Sequence, residues 1–181
     1  MLEIIECKRK IMLIGNPSVG KTSLVRKFVL DTFSDKYLTT LGFKVMKKKL
    51  TFRNAKDNNI ELSLLIWDMM GQTNDSLTPL RAYKNAHGAI LVCDLTRKNT
   101  LIYLPHLTKA LFKINSNIPI IYVANKNDLA NKNQFDDAEL AEISEANNAP
   151  YIKTSAKTGE NVETAFRLIG KRILTEQGIL K

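Results

Sequence analysis

Cysteine is scarce in this chain. Only Cys7 and Cys93 occur, so no disulfide framework can be built and a reducing, cytoplasmic setting is expected. Cys93 lies in an apolar run and reads as a small core residue. Long hydrophobic runs are also missing. Stretches such as Ile118–Ala124 are strand-length, far short of the roughly 20 residues a membrane span needs. The N-terminal Met1-Leu2-Glu3-Ile4-Ile5-Glu6 carries acids and lacks the layout of a signal peptide. Acidic side chains are outnumbered, with 18 Asp and Glu against 27 Lys and Arg, which leaves a net charge of +9. Part of that excess sits in Lys44, Lys47, Lys48, Lys49 and Arg53. A solvated strand face is the simpler reading of this cluster, and an anionic membrane or acidic partner the sharper one. Aromatic residues make up only 7% and do not interleave with the basic ones, so nucleic acid is not an expected partner.

What is present is ordinary for a globular chain. Hydrophobic residues make up 44% and charged residues 25% of 181, enough for one domain with a sizeable core. Apolar runs recur at Ile11–Ile14, Val45–Phe52, Ile60–Trp67, Ala89–Cys93, Ile118–Ala124 and Tyr151–Ile152. Helical patterns fall between most of them, at Thr22–Leu30, Pro79–Asn85, Leu104–Asn115, Asp136–Asn147 and Val162–Gln177. Pro105 fits the first turn of a helix that starts near Leu104. This alternation implies an α/β fold: a doubly wound, mostly parallel six-stranded sheet with helices on both faces. Val45–Phe52 and Ile60–Trp67 are joined by a short polar stretch, so they are expected to form a hairpin with one antiparallel edge strand. Ligands of such sheets bind beyond the carboxyl ends of the strands.

The first such end carries Gly15-Asn16-Pro17-Ser18-Val19-Gly20-Lys21-Thr22, which matches the phosphate-loop pattern G-x-x-x-x-G-K-[ST] between a strand and a helix. Its glycines let the backbone wrap closely, and the amides from Gly15 through Ser18, Val19, Gly20 and Ser23 point at an anion. Lys21 is placed to reach the β- and γ-phosphates, and the Thr22 hydroxyl to ligate Mg²⁺. Trp67-Asp68-Met69-Met70-Gly71-Gln72 follows a second strand. Asp68 is placed to hold Mg²⁺ through water, Gly71 to offer its amide to a γ-phosphate, and Gln72 to orient an attacking water.

Asn125-Lys126-Asn127-Asp128 closes another strand. A carboxylate at Asp128 accepts both the ring N–H and the exocyclic amine of guanine. Adenine offers an acceptor at the ring nitrogen and lacks that amine, so it leaves polar groups unpaired. The Lys126 stem can lie along the base, and Asn125 can tie this loop to the phosphate loop. Thr154-Ser155-Ala156-Lys157 adds a backbone amide at Ala156 for the guanine oxygen. Together these segments select guanine.

With Phe33-Ser34-Asp35-Lys36-Tyr37-Leu38-Thr39-Thr40-Leu41-Gly42 between the first two motifs, the chain resembles the Ras superfamily of small GTPases, most closely its Rab-like branch. The resemblance runs from about Lys8 to Gln177. It implies that Thr40 senses Mg²⁺ and the γ-phosphate, Phe33 packs on the guanine edge and Tyr37 covers the phosphates. It also implies a GTP-dependent switch, with Gln72, Lys21 and Thr40 serving hydrolysis and loops at about 33–44 and 68–80 changing conformation. GTPase-activating proteins, exchange factors and effectors are the implied partners, and the chain is expected to act as a monomer.

Four departures bear on this picture. Pro17 removes an amide and fixes φ where the family often has Gly or Ser. Met70 replaces a small residue. Thr73 stands where Glu is usual, and Asn74-Asp75-Ser76 replaces a basic and aromatic pair. The C-terminal Thr175–Lys181 carries no cysteine, so neither a prenyl group nor a hypervariable tail is expected, and membrane contact is at most peripheral. A GTP-hydrolysing switch is the leading function. The alternative is a GTP- or GDP-binding module that hardly hydrolyses because of Pro17 and Met70.

Overall fold

A computed structural model describes residues 4–30, 38–40, 43–55, 57–69 and 83–180. Strands β1 (Ile4–Ile14), β2 (Leu38–Thr40), β3 (Phe43–Arg53), β4 (Asn59–Met69), β5 (Gly88–Asp94), β6 (Ile120–Asn125) and β7 (Tyr151–Thr154) form one sheet in the order β2-β3-β4-β1-β5-β6-β7. Helices α1 (Lys21–Leu30), α2 (Lys98–Ile102), α3 (Leu104–Phe112), α4 (Asp137–Ala146) and α5 (Val162–Glu176) connect them, with a 3₁₀ segment at Asn127–Lys132. The pairs β1–β4, β1–β5, β5–β6 and β6–β7 are parallel, while β3 runs antiparallel to β4. The expected doubly wound, mostly parallel sheet is therefore present, and the three-residue β2 pairs antiparallel with β3 as a seventh strand, so that β3 is not itself the edge.

Burial explains the strand patterns. β5 and β6 are buried along their whole length, as near-continuous apolar strands must be when helices cover both faces. One core cluster packs Ile11, Leu13, Val25, Leu64 and Val92 against Phe166 and Ile169 of α5. The other packs Met12, Leu91, Cys93 and Tyr122 against Leu104, Leu107 and Leu111 of α3. Cys93 is fully buried, and burial pushes its thiol up to about 12, which fits the core role read from the sequence. Phe28 and Phe166 stack with ring centroids 4.0 Å apart and nearly parallel planes, locking α1 to α5.

Caps set several helix ends. Asp136 and Glu139 form a reciprocal capping box at α4. Pro105 occupies the first turn of α3, where its missing N–H leaves no hydrogen bond unmade. The short α2 just before it has no counterpart in the sequence reading. Most of Pro79–Asn85 lies outside the described residues.

The basic cluster on β3 is divided among several partners. Lys49 pairs with Glu61 at 2.8 Å, and Arg53 approaches Asp57 at 3.6 Å. Lys48 lies 4.4 Å from the centroid of the Phe28 ring and donates to the Phe28 carbonyl. Its ammonium therefore lies over an aromatic ring rather than contributing to a uniform charged face.

Candidate nucleotide site

The carboxyl ends of β1, β4, β5, β6 and β7 converge on one rim of the sheet, and the sequence motifs stand there. After β1 the chain turns at Gly15 and enters α1 at Lys21. A Cβ on Gly15 would stand 2.3 Å from the Val92 carbonyl oxygen, and one on Gly20 (φ +99°) would stand 2.2 Å from Asn125 Nδ2. Glycine is required at both because the loop lies directly on its neighbours.

Lys21 Nζ donates to the carbonyls of Gly15 at 2.8 Å and Asn16 at 2.9 Å. The ammonium is thus held inside the loop that is expected to wrap the phosphates. Burial lowers its pKa, Asp68 opposes that shift, and Arg97 adds to it. Ser18 has φ +63° and is exposed, Val19 is fully buried and Ser23 is exposed on the first turn of α1.

At the end of β4, Asp68 is fully buried. Thr22 Oγ1 donates to its Oδ2 at 2.5 Å, while its Oδ1 is buried with no hydrogen-bond partner among the described residues. An orphaned carboxylate oxygen is costly unless something positive meets it. The pair of an acid and a hydroxyl therefore fits a divalent cation with oxygen preference. Among the described residues no group of three or more His, Cys, Asp or Glu could hold a metal.

Asn125 ends β6 and is almost fully buried. Its Nδ2 donates to the Val19 carbonyl at 2.9 Å. Its Oδ1 accepts from the Ala156 amide at 3.1 Å and from Thr154 Oγ1 at 3.2 Å. One side chain thus binds the phosphate loop, β6 and the loop after β7 together. The Ala156 amide, expected to face a guanine oxygen, is engaged by Asn125 and would have to be shared. Ser155 Oγ donates to Asp128 Oδ1 at 2.6 Å and accepts from the Thr158 amide at 3.1 Å. Asp128 is thereby oriented through one oxygen, and its other oxygen has no protein hydrogen bond among the described residues. Lys126 adopts φ +73°. Lys157 is exposed.

The family follows from direct comparison. A model of the Ras family matches residues 10–175. The chain belongs to the Ras family. The "Ras-related protein Rab-1" of Theileria parva is 34% identical over 171 residues, covering 91% of this chain and 73% of that protein. The protein of the same description from Theileria annulata matches with the same identity and coverage. The chain is accordingly a Rab-like small GTPase, and Ras-family members in general bind GTP or GDP with Mg²⁺.

In this GTPase the described residues bring Gly15, Ser18, Val19, Gly20, Lys21, Thr22, Asp68, Asn125, Lys126, Asp128, Ser155 and Ala156 to the same rim. Thr40 ends β2, where its backbone pairs with Phe43. Phe33, Tyr37, Met70, Gly71 and Gln72 lie outside the described residues. Sequence reasoning missed Asp94. This residue ends β5, is fully buried, and receives Lys126 Nζ at 2.7 Å on Oδ2. Burial alone would raise its pKa, but hydrogen bonds from Lys126, Thr96 and Arg97 outweigh it and hold the carboxyl at about 2. The signal was available: Asp94 closes an apolar strand at its carboxyl end, as Asp68 and Asn125 do. Among the described residues no helix is long and apolar enough to cross a membrane.

Proposed function

We propose that this chain is a single-domain molecular switch that binds GTP with Mg²⁺ and hydrolyses it to GDP and phosphate. The observation that carries the proposal is Asn125. It joins the backbone of a phosphate loop to the two segments whose donors and acceptors complement guanine. A loop for polyphosphate and a pocket for one base, tied by a single buried side chain, make a nucleotide site rather than an anion site.

The reaction is in-line attack of water on the γ-phosphoryl. Gln72 orients the water. Lys21 turns from the Gly15 and Asn16 carbonyls to the phosphate oxygens and offsets the charge that develops on them. Thr22, Asp68 and Thr40 are the residues that would hold Mg²⁺, which would supply positive charge against the charge that develops on the phosphate. The Ser18, Val19, Gly20 and Ser23 amides, with Gly15 at the turn, cradle the phosphates. Phe33, Lys126, Asp128, Ser155, Ala156 and Lys157 surround the base, and Tyr37 covers the phosphates. Thr40 and Gly71 contact the γ-phosphate, so its loss releases loops at about 33–44 and 68–80. Activators, exchange factors and effectors read that change, in Rab-like trafficking or signalling at the cytoplasmic side of a membrane.

Intrinsic turnover is slow, because the stretch between Lys21 and Thr40 is too short for a helical insertion that would supply an arginine finger. Single-turnover GTP hydrolysis of wild type and Gln72→Leu tests this. The expected result is slow release of phosphate by wild type and a further fall in the variant. Unassisted turnover faster than about 1 s⁻¹ contradicts the slow-switch reading. Tight GTP binding with no turnover in either protein instead supports a binding module limited by Pro17 and Met70.

A further inference from the structure

Arg97 belongs to none of the motifs above, yet its guanidinium joins two of the elements that form the site. Nε donates to Asp94 Oδ2 at 2.8 Å, and Nη2 donates to the Pro17 carbonyl at 3.0 Å. The same Asp94 oxygen receives Lys126 Nζ at 2.7 Å. Asp94 Oδ1 accepts from the Thr96 amide at 2.9 Å and from the Thr96 hydroxyl at 2.7 Å. Because Asp94 is fully buried and held from both oxygens, it is a fixed anchor. The result is a relay of hydrogen bonds from Lys126, in the loop proposed to recognise the base, through Asp94 and Arg97 to Pro17 in the phosphate loop.

Pro17 makes the contact matter. Proline has no amide hydrogen, so the carbonyl is the one backbone hydrogen-bonding group this residue offers. The rest of the loop is gripped from its inner side, by Asn125 at Val19 and by Lys21 at Gly15 and Asn16. Arg97 grips it at Pro17 from the turn after β5, 80 positions away in sequence. Arginine suits the task because its planar fork serves two acceptors at once, whereas a lysine ammonium is a compact point charge on a flexible stem. The Arg97 charge also reaches the Lys21 ammonium, so the brace adds positive potential where an anion is expected.

We propose that Arg97 is a positioning residue that clamps the phosphate loop at Pro17 and couples it through Asp94 to Lys126, so that it sets how slowly bound guanine nucleotide leaves. The proposal rests on the guanine-nucleotide reading given above. Release requires the loop and the base segment to separate from the phosphates and the ring. Every hydrogen bond broken in that opening slows it, and charge-assisted ones slow it most.

The test loads wild type, Arg97→Ala, Arg97→Lys, Asp94→Asn and the Arg97→Ala/Asp94→Asn double variant with fluorescently labelled GDP. Dissociation is then followed after adding excess unlabelled GDP at saturating Mg²⁺. Arg97→Ala is expected to release about tenfold faster, in line with the loss of charge-assisted hydrogen bonds. Arg97→Lys should fall between wild type and Arg97→Ala. The double variant should release no more than about threefold faster than Asp94→Asn alone, because both changes break one relay. Wild-type rates in Arg97→Ala, or effects that multiply in the double variant, overturn the proposal while leaving the guanine reading intact. A wild-type protein that fails to hold labelled GDP overturns both.

Discussion

The Thr22 hydroxyl donates to Asp68 Oδ2 across 2.5 Å, while Oδ1 of the same carboxylate is buried without a partner among the described residues. The phosphate loop and the end of β4 are thus joined at the point where a cation fits. Replacing Asp68 with Asn keeps the shape and removes the charge. The variant should need roughly 10- to 100-fold more Mg²⁺ to retain GDP, the range seen when a supporting group at a metal site is lost. Titrating Mg²⁺ against nucleotide release measures this. An unchanged Mg²⁺ requirement would show that Asp68 serves only to hold Thr22.

Asp128 is aimed by Ser155 at 2.6 Å, which gives the base pocket a test independent of the phosphates. A carboxylate accepts from both the ring N–H and the amine of guanine. An amide at this position still accepts one proton but offers a donor where guanine also has a donor. Asp128→Asn should therefore weaken GDP binding by about 10²-fold or more and improve binding of xanthosine diphosphate, which carries an oxygen in place of the amine. Equilibrium titration with both nucleotides decides it. Equal loss for both would place Asp128 outside the base contact.

Asp94 makes stability depend on acid. Against the effect of burial, hydrogen bonds from Lys126, Thr96 and Arg97 hold its carboxyl at about 2 in the folded chain, below the ordinary 3.8. A depressed folded pKa stabilises the fold above the unfolded value, and that stabilisation fades as pH falls from about 4 through about 2. The difference corresponds to about 2 kcal/mol. Thermal unfolding of wild type and Asp94→Asn between pH 7 and pH 2.5 should show a gap that is constant above about pH 5 and narrows towards the acid limit. A gap that stays constant down to pH 2.5 would contradict the ion-paired anchor.

Phe28 stacks on Phe166 at 4.0 Å and supports the Lys48 ammonium on its ring. Phe28→Ala should cost about 3–5 kcal/mol by opening a cavity between α1 and α5. Denaturant unfolding reads the loss directly. A loss below about 1 kcal/mol would mean that the stack is incidental.

How legible the chain was depends on the kind of signal each residue carries. β5 and β6 were plain because strands buried on both faces are continuously apolar. The first half of β1 was not. Ile4–Lys10 alternates apolar and charged residues and is only partly buried, and its place is fixed by the long parallel register with β4, which no local pattern announces. The capped α4 was legible to within a residue at each end, because Asp136 and Asn147 are the caps themselves. In the site, contiguous motifs such as Gly15–Thr22 and Asn125–Asp128 could be read from spacing alone. Asn125 as a tie between loops was anticipated, and the structure places its amide on Val19. Asp94 and Arg97 escaped because their partners, Lys126 and Pro17, are distant in sequence and belong to different loops. A hydrogen bond between loops leaves no periodic trace.

The site is proposed to take guanine nucleotides in preference to adenine nucleotides. The most direct measurement is a competition titration of the purified, nucleotide-stripped chain with GDP and ADP at saturating Mg²⁺. GDP is expected to bind at least about 10³-fold more tightly, because ADP leaves the Asp128 carboxylate unpaired. Comparable affinities for the two nucleotides, or a preference for ADP, would contradict it.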